Sequence, residues 1–172
     1  MSLVPAPIPA RLGAAALALT AVTPVALGGL LALRTGHLAP LGAVPAVVFG
    51  TLAATSPALY IASAAVGTAP PLPLVARAFA TALGAFGVAL AGLILPAAFL
   101  ALSSVEPRTA MIVASGAVGA AALLGLRRLA IELAPDPLTP RIGGSVVFLI
   151  WTAATLGIAA RLWLDFAVEV LA

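Results

Sequence analysis

The sequence predicts an all-α fold: a polytopic transmembrane helical bundle of about five spans with no sizeable soluble domain. Of the 172 residues, 63% are hydrophobic and only 8% are charged, which would leave a soluble domain with too little polar surface. Uncharged stretches long enough to cross a hydrocarbon core of roughly 30 Å recur along the chain. Short connections with prolines, glycines or charges separate them. We therefore treat residues 1–172 as a single transmembrane domain.

The first two spans flank a tight turn. Alternating prolines between Val4 and Arg11 favour an extended entry peptide, so the first helix begins only after them. It is predicted over residues 12–33 and ends before Arg34. A short turn that contains His37 then leads to the second span, predicted over residues 41–66. That span contains Pro57, so we expect it to be tilted or kinked.

The remaining three spans follow from the same pattern of uncharged stretches and breakers. Three prolines between Gly67 and Leu74 are expected to stop the helix and restart it. Arginines, prolines and acidic residues then mark the later boundaries. Trp163 is expected to lie in an interfacial belt at the end of the fifth span. The predicted third, fourth and fifth spans cover residues 78–102, 109–130 and 143–163.

Rows of small residues at four-residue spacing predict close helix packing. Lipid provides no hydrophobic drive between helices, so close backbone approach must supply the contact area. Either the second and fourth spans pack together through their rows, or one row faces another subunit. We expect Gly50 to face the packing partner and Val47 to face lipid. The predicted packing residues are Gly42, Ala46, Gly50, Ala54 and Ala58 on the second span and Ala117, Ala121 and Gly125 on the fourth.

Hydroxyl side chains of the second span form a possible polar path. At 100° per residue Thr51 and Thr55 share one face, whereas Ser56 and Tyr60 lie on another. They could line a substrate path. The favoured interpretation is packing: these groups bond to neighbouring helices and to backbone groups freed by Pro57.

Several chemistries lack the residues that they need. The chain has no cysteine and a single histidine, His37, in a turn, so cysteine and histidine metal sites have no ligand set. No HExxH helix or GxSxG turn occurs. The acidic and basic residues lie near the predicted span ends, away from the membrane centre where functional charges of transporters occur. We therefore expect no catalytic, cofactor-binding or metal-binding residues, and no enzymatic activity.

Arginine distribution predicts the orientation and the membrane. All eight basic residues are arginine, and with abundant alanine, glycine and proline this suggests a GC-rich bacterial genome and hence a bacterial inner (cytoplasmic) membrane. Five arginines fall on the side of the N-terminus and three on the other side, which favours a cytoplasmic N-terminus and an outside C-terminus. The densest basic group is expected to be an interfacial anchor. The chain has too few charges to indicate nucleic-acid binding. That group is Arg127, Arg128 and Arg141.

The expected function is that of a non-enzymatic integral membrane subunit that scaffolds or anchors a larger membrane assembly. Short connections and helix faces rich in small residues favour this interpretation. The alternative is a small oligomeric transporter or channel for a neutral or lipidic substrate, because a helix broken by proline can expose backbone groups to a substrate. The expected partners are membrane lipids together with other membrane protein subunits or further copies of the chain.

Overall fold

A computed structural model of the protein describes the backbone of residues 10–104, 106–134 and 142–171, and the side chains of this part except for residues 10–13 and 142. Within it the chain forms five α-helices and no strand. Each helix is long and apolar enough to cross a membrane. The predicted five-span membrane fold is therefore confirmed. The helices are α1 (Ala10–Thr35), α2 (Ala39–Ala65), α3 (Leu72–Ser103), α4 (Pro107–Leu133) and α5 (Ile142–Leu171).

Helices α3 and α5 extend furthest beyond the spans predicted for them. Helix α3 begins at Leu72 rather than at residue 78, because Pro71 caps it and Pro73 lies in the first turn, where proline is tolerated. Helix α5 continues to Leu171 rather than ending at residue 163. Phe166 and Val170 in that extension are buried. Packing of these apolar side chains extends the helix.

The internal prolines do not interrupt the helices. Pro57 and Pro45 lie inside α2, which is continuous over its whole length. Pro24 and Pro96 likewise lie inside α1 and α3. The second span is therefore not the discontinuous helix that the transporter alternative invoked, and its tilt or kink stays a prediction. Neighbouring helices in a bundle can compensate for the backbone bond that proline removes.

The helices pack in a ring whose most extensive contacts involve α3. Helix α3 packs against α4 on one side and α1 on the other, α1 packs against α2, and α2 packs against α5. Helix α5 returns to α4 but touches it only lightly. Helix α3 is therefore the central packing element, because its buried face meets two neighbouring helices.

Glycines permit the closest helix approaches. A Cβ atom on Gly87 of α3 would lie 2.5 Å from the backbone nitrogen of Thr20 on α1. A Cβ on Gly28 would likewise collide with the backbone carbonyl of Pro40 at the start of α2. The Thr20 hydroxyl lies 2.7 Å from the carbonyl oxygen of Leu83 on α3. These backbone contacts fix α1 between α2 and α3.

Candidate intramembrane binding cavity

A cavity of about 440 Å³ lies between α2, α3, α4 and α5. Its volume falls in the range of small-molecule sites, roughly 300–1,000 Å³. Thr51 and Thr155, which line it, lie near the middles of α2 and α5. Since each helix spans the membrane, the cavity is close to the bilayer centre. Most of its lining side chains are alanine, leucine, valine and phenylalanine.

An aromatic layer closes one end of the cavity. Phe79 of α3 lines the cavity and meets Trp151 of α5 edge-on, with ring centroids 6.0 Å apart. Phe148 packs on the same indole at 5.9 Å. The Trp151 Nε1–H donates a hydrogen bond of 2.8 Å to the carbonyl oxygen of Thr55 on α2. This layer joins α2, α3 and α5 beyond the cavity.

A second tryptophan closes the other end. Trp163 of α5 lines the cavity, and its Nε1–H donates to the Ser115 hydroxyl oxygen of α4 at 2.8 Å. Phe166 packs edge-on against the same indole at 5.6 Å. Trp163, which the sequence predicts in an interfacial belt, is half-buried and bonded to another helix; its depth in the membrane stays a prediction. The hydrogen bond holds α5 against α4 at this end.

The mouth of the cavity lies between α4 and α5. The lining residues that are exposed are Gly119 on α4 and Ala160 and Leu164 on α5, whereas those on α2 and α3 are buried or half-buried. Helices α4 and α5 also make few contacts with each other. The cavity therefore opens sideways, toward the hydrocarbon of the bilayer.

Two buried hydroxyls on the cavity wall have no hydrogen-bond partner. Thr51 is 3% exposed and Thr155 is 5% exposed, and neither Oγ1 atom is hydrogen-bonded. Two further buried hydroxyls, of Thr23 and Thr152, also have no partner but do not line the cavity. Several other hydroxyls in the helices bond to the carbonyl oxygen four residues earlier. Those are the hydroxyls of Thr20, Thr35, Thr55, Thr81 and Ser115.

The antiparallel packing of α2 and α5 brings the two threonines to one level. The Trp151 bond to Thr55 fixes the register between these helices. Thr51 lies four residues before Thr55, toward the N-terminus of α2. Thr155 lies four residues after Trp151, toward the C-terminus of α5. Because the helices run in opposite directions, both steps go the same way along the membrane normal. The two hydroxyls are therefore at a similar depth on the cavity wall.

The predicted polar path is represented in the cavity by Thr51 alone. Thr55 donates its hydroxyl to the Thr51 carbonyl oxygen at 2.9 Å and accepts the Trp151 bond through its own carbonyl. Ser56 and Tyr60 are half-buried and do not line the cavity. The structure thus assigns helix packing to Thr55 and cavity contact to Thr51.

The two predicted rows of small residues have different surroundings. Ala117, Ala121 and Gly125 are buried on α4, and a Cβ on Gly125 would lie 3.2 Å from the Ala82 carbonyl oxygen of α3. This row packs within the chain, but against the third span rather than the second. On α2 the row is exposed. Its members are Gly42, Ala46, Gly50, Ala54 and Ala58.

The expected surroundings of Gly50 and Val47 are reversed within the chain. A Cβ on Gly50 would have no atom within 4 Å, whereas Val47 is half-buried and lines the cavity. Small residues occur on several faces of α2, so their spacing alone does not select the inward face. The alternative in which this row meets another subunit stays a prediction.

None of the residues that line the cavity is charged. Arg128 pairs with Glu132 at 2.6 Å, and Arg127 beside it is exposed. Arg161 pairs with Asp165, four residues later on the same helix, at 3.1 Å. Arg141 lies outside the described residues.

The described part of the chain has no group of three or more histidine, cysteine or acidic residues that could hold a metal ion. His37 is exposed in the turn between α1 and α2. No protein-family model, curated protein or solved structure matches this chain.

Sequence reasoning missed the residues that build the cavity, although α5 carries a signal for them. Trp151, Thr155, Ala159 and Trp163 follow one another at four-residue spacing along one ridge of the helix. Large aromatic residues at both ends of such a ridge, with small or polar ones between them, leave a gap against a neighbouring helix. The pattern indicates a cavity only if that ridge faces inward, which the sequence does not specify.

Proposed function

We propose that the protein binds an uncharged lipidic molecule in its mid-membrane cavity and admits it sideways from the bilayer. The observation that carries this proposal is the position of the mouth, between α4 and α5 at the level of Gly119 and Ala160. Such an opening faces lipid rather than water. A molecule already dissolved in the hydrocarbon reaches it without crossing an interface.

The chemistry of the wall supports an uncharged ligand. The polar side chains of the lining belong to Thr51, Thr155, Ser115 and Trp163, and none of the lining residues is charged. An ion at mid-membrane depth is costly without a partner of opposite charge. An apolar wall with a few hydrogen-bonding groups is typical of sites for small organic molecules.

The closed ends favour binding over conduction. The Phe79 and Trp151 layer lies beyond one end and Trp163 lies at the other. A pore for water or ions would need a continuous polar path between the two membrane surfaces. We therefore propose a binding or carrier role, a narrower form of the transporter alternative, in which the ligand is held without chemical conversion.

Two glycines of α4 provide a matched test. Gly119 lines the cavity mouth, Gly116 is exposed outside it, and a Cβ on either would have no atom within 4 Å. Gly119→Phe should fill the mouth, whereas Gly116→Phe adds the same side chain beside it. The full-length protein in detergent micelles is titrated with a dibrominated alkane, which quenches tryptophan fluorescence on contact.

The chain has two tryptophans: Trp163 lines the cavity and Trp151 lies in the aromatic layer beyond its other end, so quenching of Trp163 reports directly on the site. We expect saturable quenching in the wild type and in Gly116→Phe, and its loss in Gly119→Phe. Equal quenching in all three proteins would contradict the proposal, because it would arise from alkane in the surrounding micelle.

A second candidate function is a non-enzymatic subunit that scaffolds or anchors a membrane assembly through α2. The exposed row around Gly50 favours it, because small residues let a transmembrane helix of another protein subunit approach closely. Gly50→Leu should then abolish co-purification of that subunit in mild detergent without changing the melting temperature of the isolated protein. Ile61→Ala, at another exposed position of α2, is the control. Unchanged partner recovery in Gly50→Leu would remove this candidate.

For the membrane and orientation, we propose a bacterial inner membrane with a cytoplasmic N-terminus. The arginine bias supports this orientation, with Arg127 and Arg128 as interfacial anchors at the cytoplasmic end of α4. An odd number of spans, as in the five candidate spans, is consistent with chain ends on opposite sides. The C-terminal end of α5 is then outside the cytoplasm.

A further inference from the structure

We propose that Thr51 and Thr155 form a hydrogen-bonding pair that recognises a carbonyl or hydroxyl oxygen of the bound molecule. The ligand is then an uncharged long-chain molecule with an oxygen in its apolar body, rather than a plain hydrocarbon. This inference rests on the proposed function and adds the chemical class of the ligand. The oxygen of the ligand then lies at the buried wall of the cavity, and its hydrocarbon chain lies at the lipid-facing mouth.

The missing hydrogen bonds are the first argument. Burying a hydroxyl without a partner is costly, and the great majority of buried polar groups in native proteins have one. Thr51 and Thr155 are both more than nine-tenths buried, line the cavity and have no bonded partner for Oγ1. A ligand oxygen would satisfy both groups.

Their common depth is the second argument. The bond between Trp151 and Thr55 sets the register that brings the two threonines to one level. One oxygen has two lone pairs and can accept from two hydroxyls at once. Two donors at a similar depth on one cavity wall therefore suit one carbonyl better than two separate ligands.

Water is a poorer occupant of this position. A buried water typically makes about three hydrogen bonds. The third hydroxyl of the lining, on Ser115, is already engaged by Trp163 and by the carbonyl oxygen of Met111. The rest of the wall is almost entirely apolar. A lipidic oxygen needs only the two threonines and places its hydrocarbon against the remaining surface.

A packing explanation competes with this one. The hydroxyls could rotate onto the carbonyls of Val47 and Trp151, four residues earlier on their own helices, as other threonines of the chain do. In that case they would not distinguish an oxygen-containing ligand from a hydrocarbon. The two explanations therefore differ in ligand preference.

The test compares two competitors of equal chain length. The protein in micelles is first quenched with the dibrominated alkane, which is then displaced by a dialkyl ketone with its carbonyl at mid-chain or by the matching alkane. In the wild type the ketone should displace it at an about three- to tenfold lower concentration, the range expected for one net hydrogen bond. Thr51→Val and Thr155→Val should each reduce or abolish that preference.

Thr152→Val is the matched control. Its hydroxyl is also buried without a bonded partner on α5, but Thr152 does not line the cavity. It should keep the full ketone preference. Thr51→Ser, which retains the hydroxyl, should keep most of it, and this variant separates loss of the hydroxyl from a folding defect.

The outcomes distinguish the two proposals. Equal displacement by ketone and alkane in the wild type would overturn the threonine pair while cavity binding stands. An unchanged ketone preference in both valine variants would overturn it as well. Quenching that Gly119→Phe does not alter would overturn the binding function, and the threonine pair with it.

Discussion

The indole N–H of Trp163 donates to the Ser115 hydroxyl oxygen at 2.8 Å and thereby connects α5 to α4. The Ser115 hydroxyl donates in turn to the carbonyl oxygen of Met111 at 2.7 Å, so its oxygen is free to accept the indole bond. The two helices otherwise make few contacts. This short chain of hydrogen bonds therefore determines how closely the mouth of the cavity is held.

Trp163→Phe should loosen the mouth while preserving an aromatic ring at that end. Loss of one buried hydrogen bond should lower the free energy of unfolding by about 1 kcal/mol, and the dibrominated alkane should quench Trp151 faster in stopped-flow mixing. Leu162→Phe, which changes an exposed neighbour, is the control. An unchanged quenching rate in Trp163→Phe would show that this bond does not control access.

Gly87→Ala should destabilise the contact between α1 and α3. The added Cβ would lie 2.5 Å from the Thr20 backbone nitrogen, so a helix must shift, and overpacking of this kind typically costs about 1–3 kcal/mol. Gly92→Ala on the same helix is the control because its Cβ would have no atom within 4 Å. Thermal unfolding in detergent measures both. Equal melting temperatures would contradict the close approach of the two helices.

Ala121→Leu should disrupt the interface of α4 with α3. Ala121 has no exposed surface, whereas its neighbour Ala120 is exposed. The larger side chain should cost at least about 1–3 kcal/mol at the buried position, and Ala120→Leu should leave stability nearly unchanged. The measurement is the fraction of each purified protein that remains monodisperse in detergent after heating. If Ala120→Leu is the more damaging change, the assigned inward face of α4 is wrong.

Single cysteines should report the orientation, since the chain has none of its own. In intact cells an impermeant thiol reagent should label His37→Cys and Glu106→Cys, which lie in connections on the proposed outer side. Leu72→Cys and Ala134→Cys should react only after permeabilisation. All four positions are exposed in the structure. Labelling of the second pair in intact cells would reverse the proposed topology.

Much of the fold could be predicted because membrane insertion depends on hydrophobicity summed along each segment. The predicted spans coincide with the five helices apart from their ends. The largest error was at α5, where Phe166 and Val170 extend the helix through tertiary packing. The residue at which a helix ends depends on side chains that pack against it from other helices, and a local sequence pattern does not contain them.

The candidate site was much harder to predict. Thr51 was singled out as part of a polar path, but its cavity partner Thr155 and both tryptophans were not assigned to a site. Their importance depends on which ridge of α5 faces α2, α3 and α4. In a chain this rich in alanine, small residues occur on several faces of each helix, so the pattern leaves the helix pairing open.

The sequence by itself determined the fold class, the five membrane spans and the absence of charge from their middles, because these follow from the cost of burying polar groups in hydrocarbon. Only the tertiary structure decided that α3 packs between α1 and α4, that the small-residue row of α2 is exposed, and that Thr51 and Thr155 share a cavity wall. Lipid is as apolar as the helix faces. Lateral pairing is therefore decided by shape and a few hydrogen bonds.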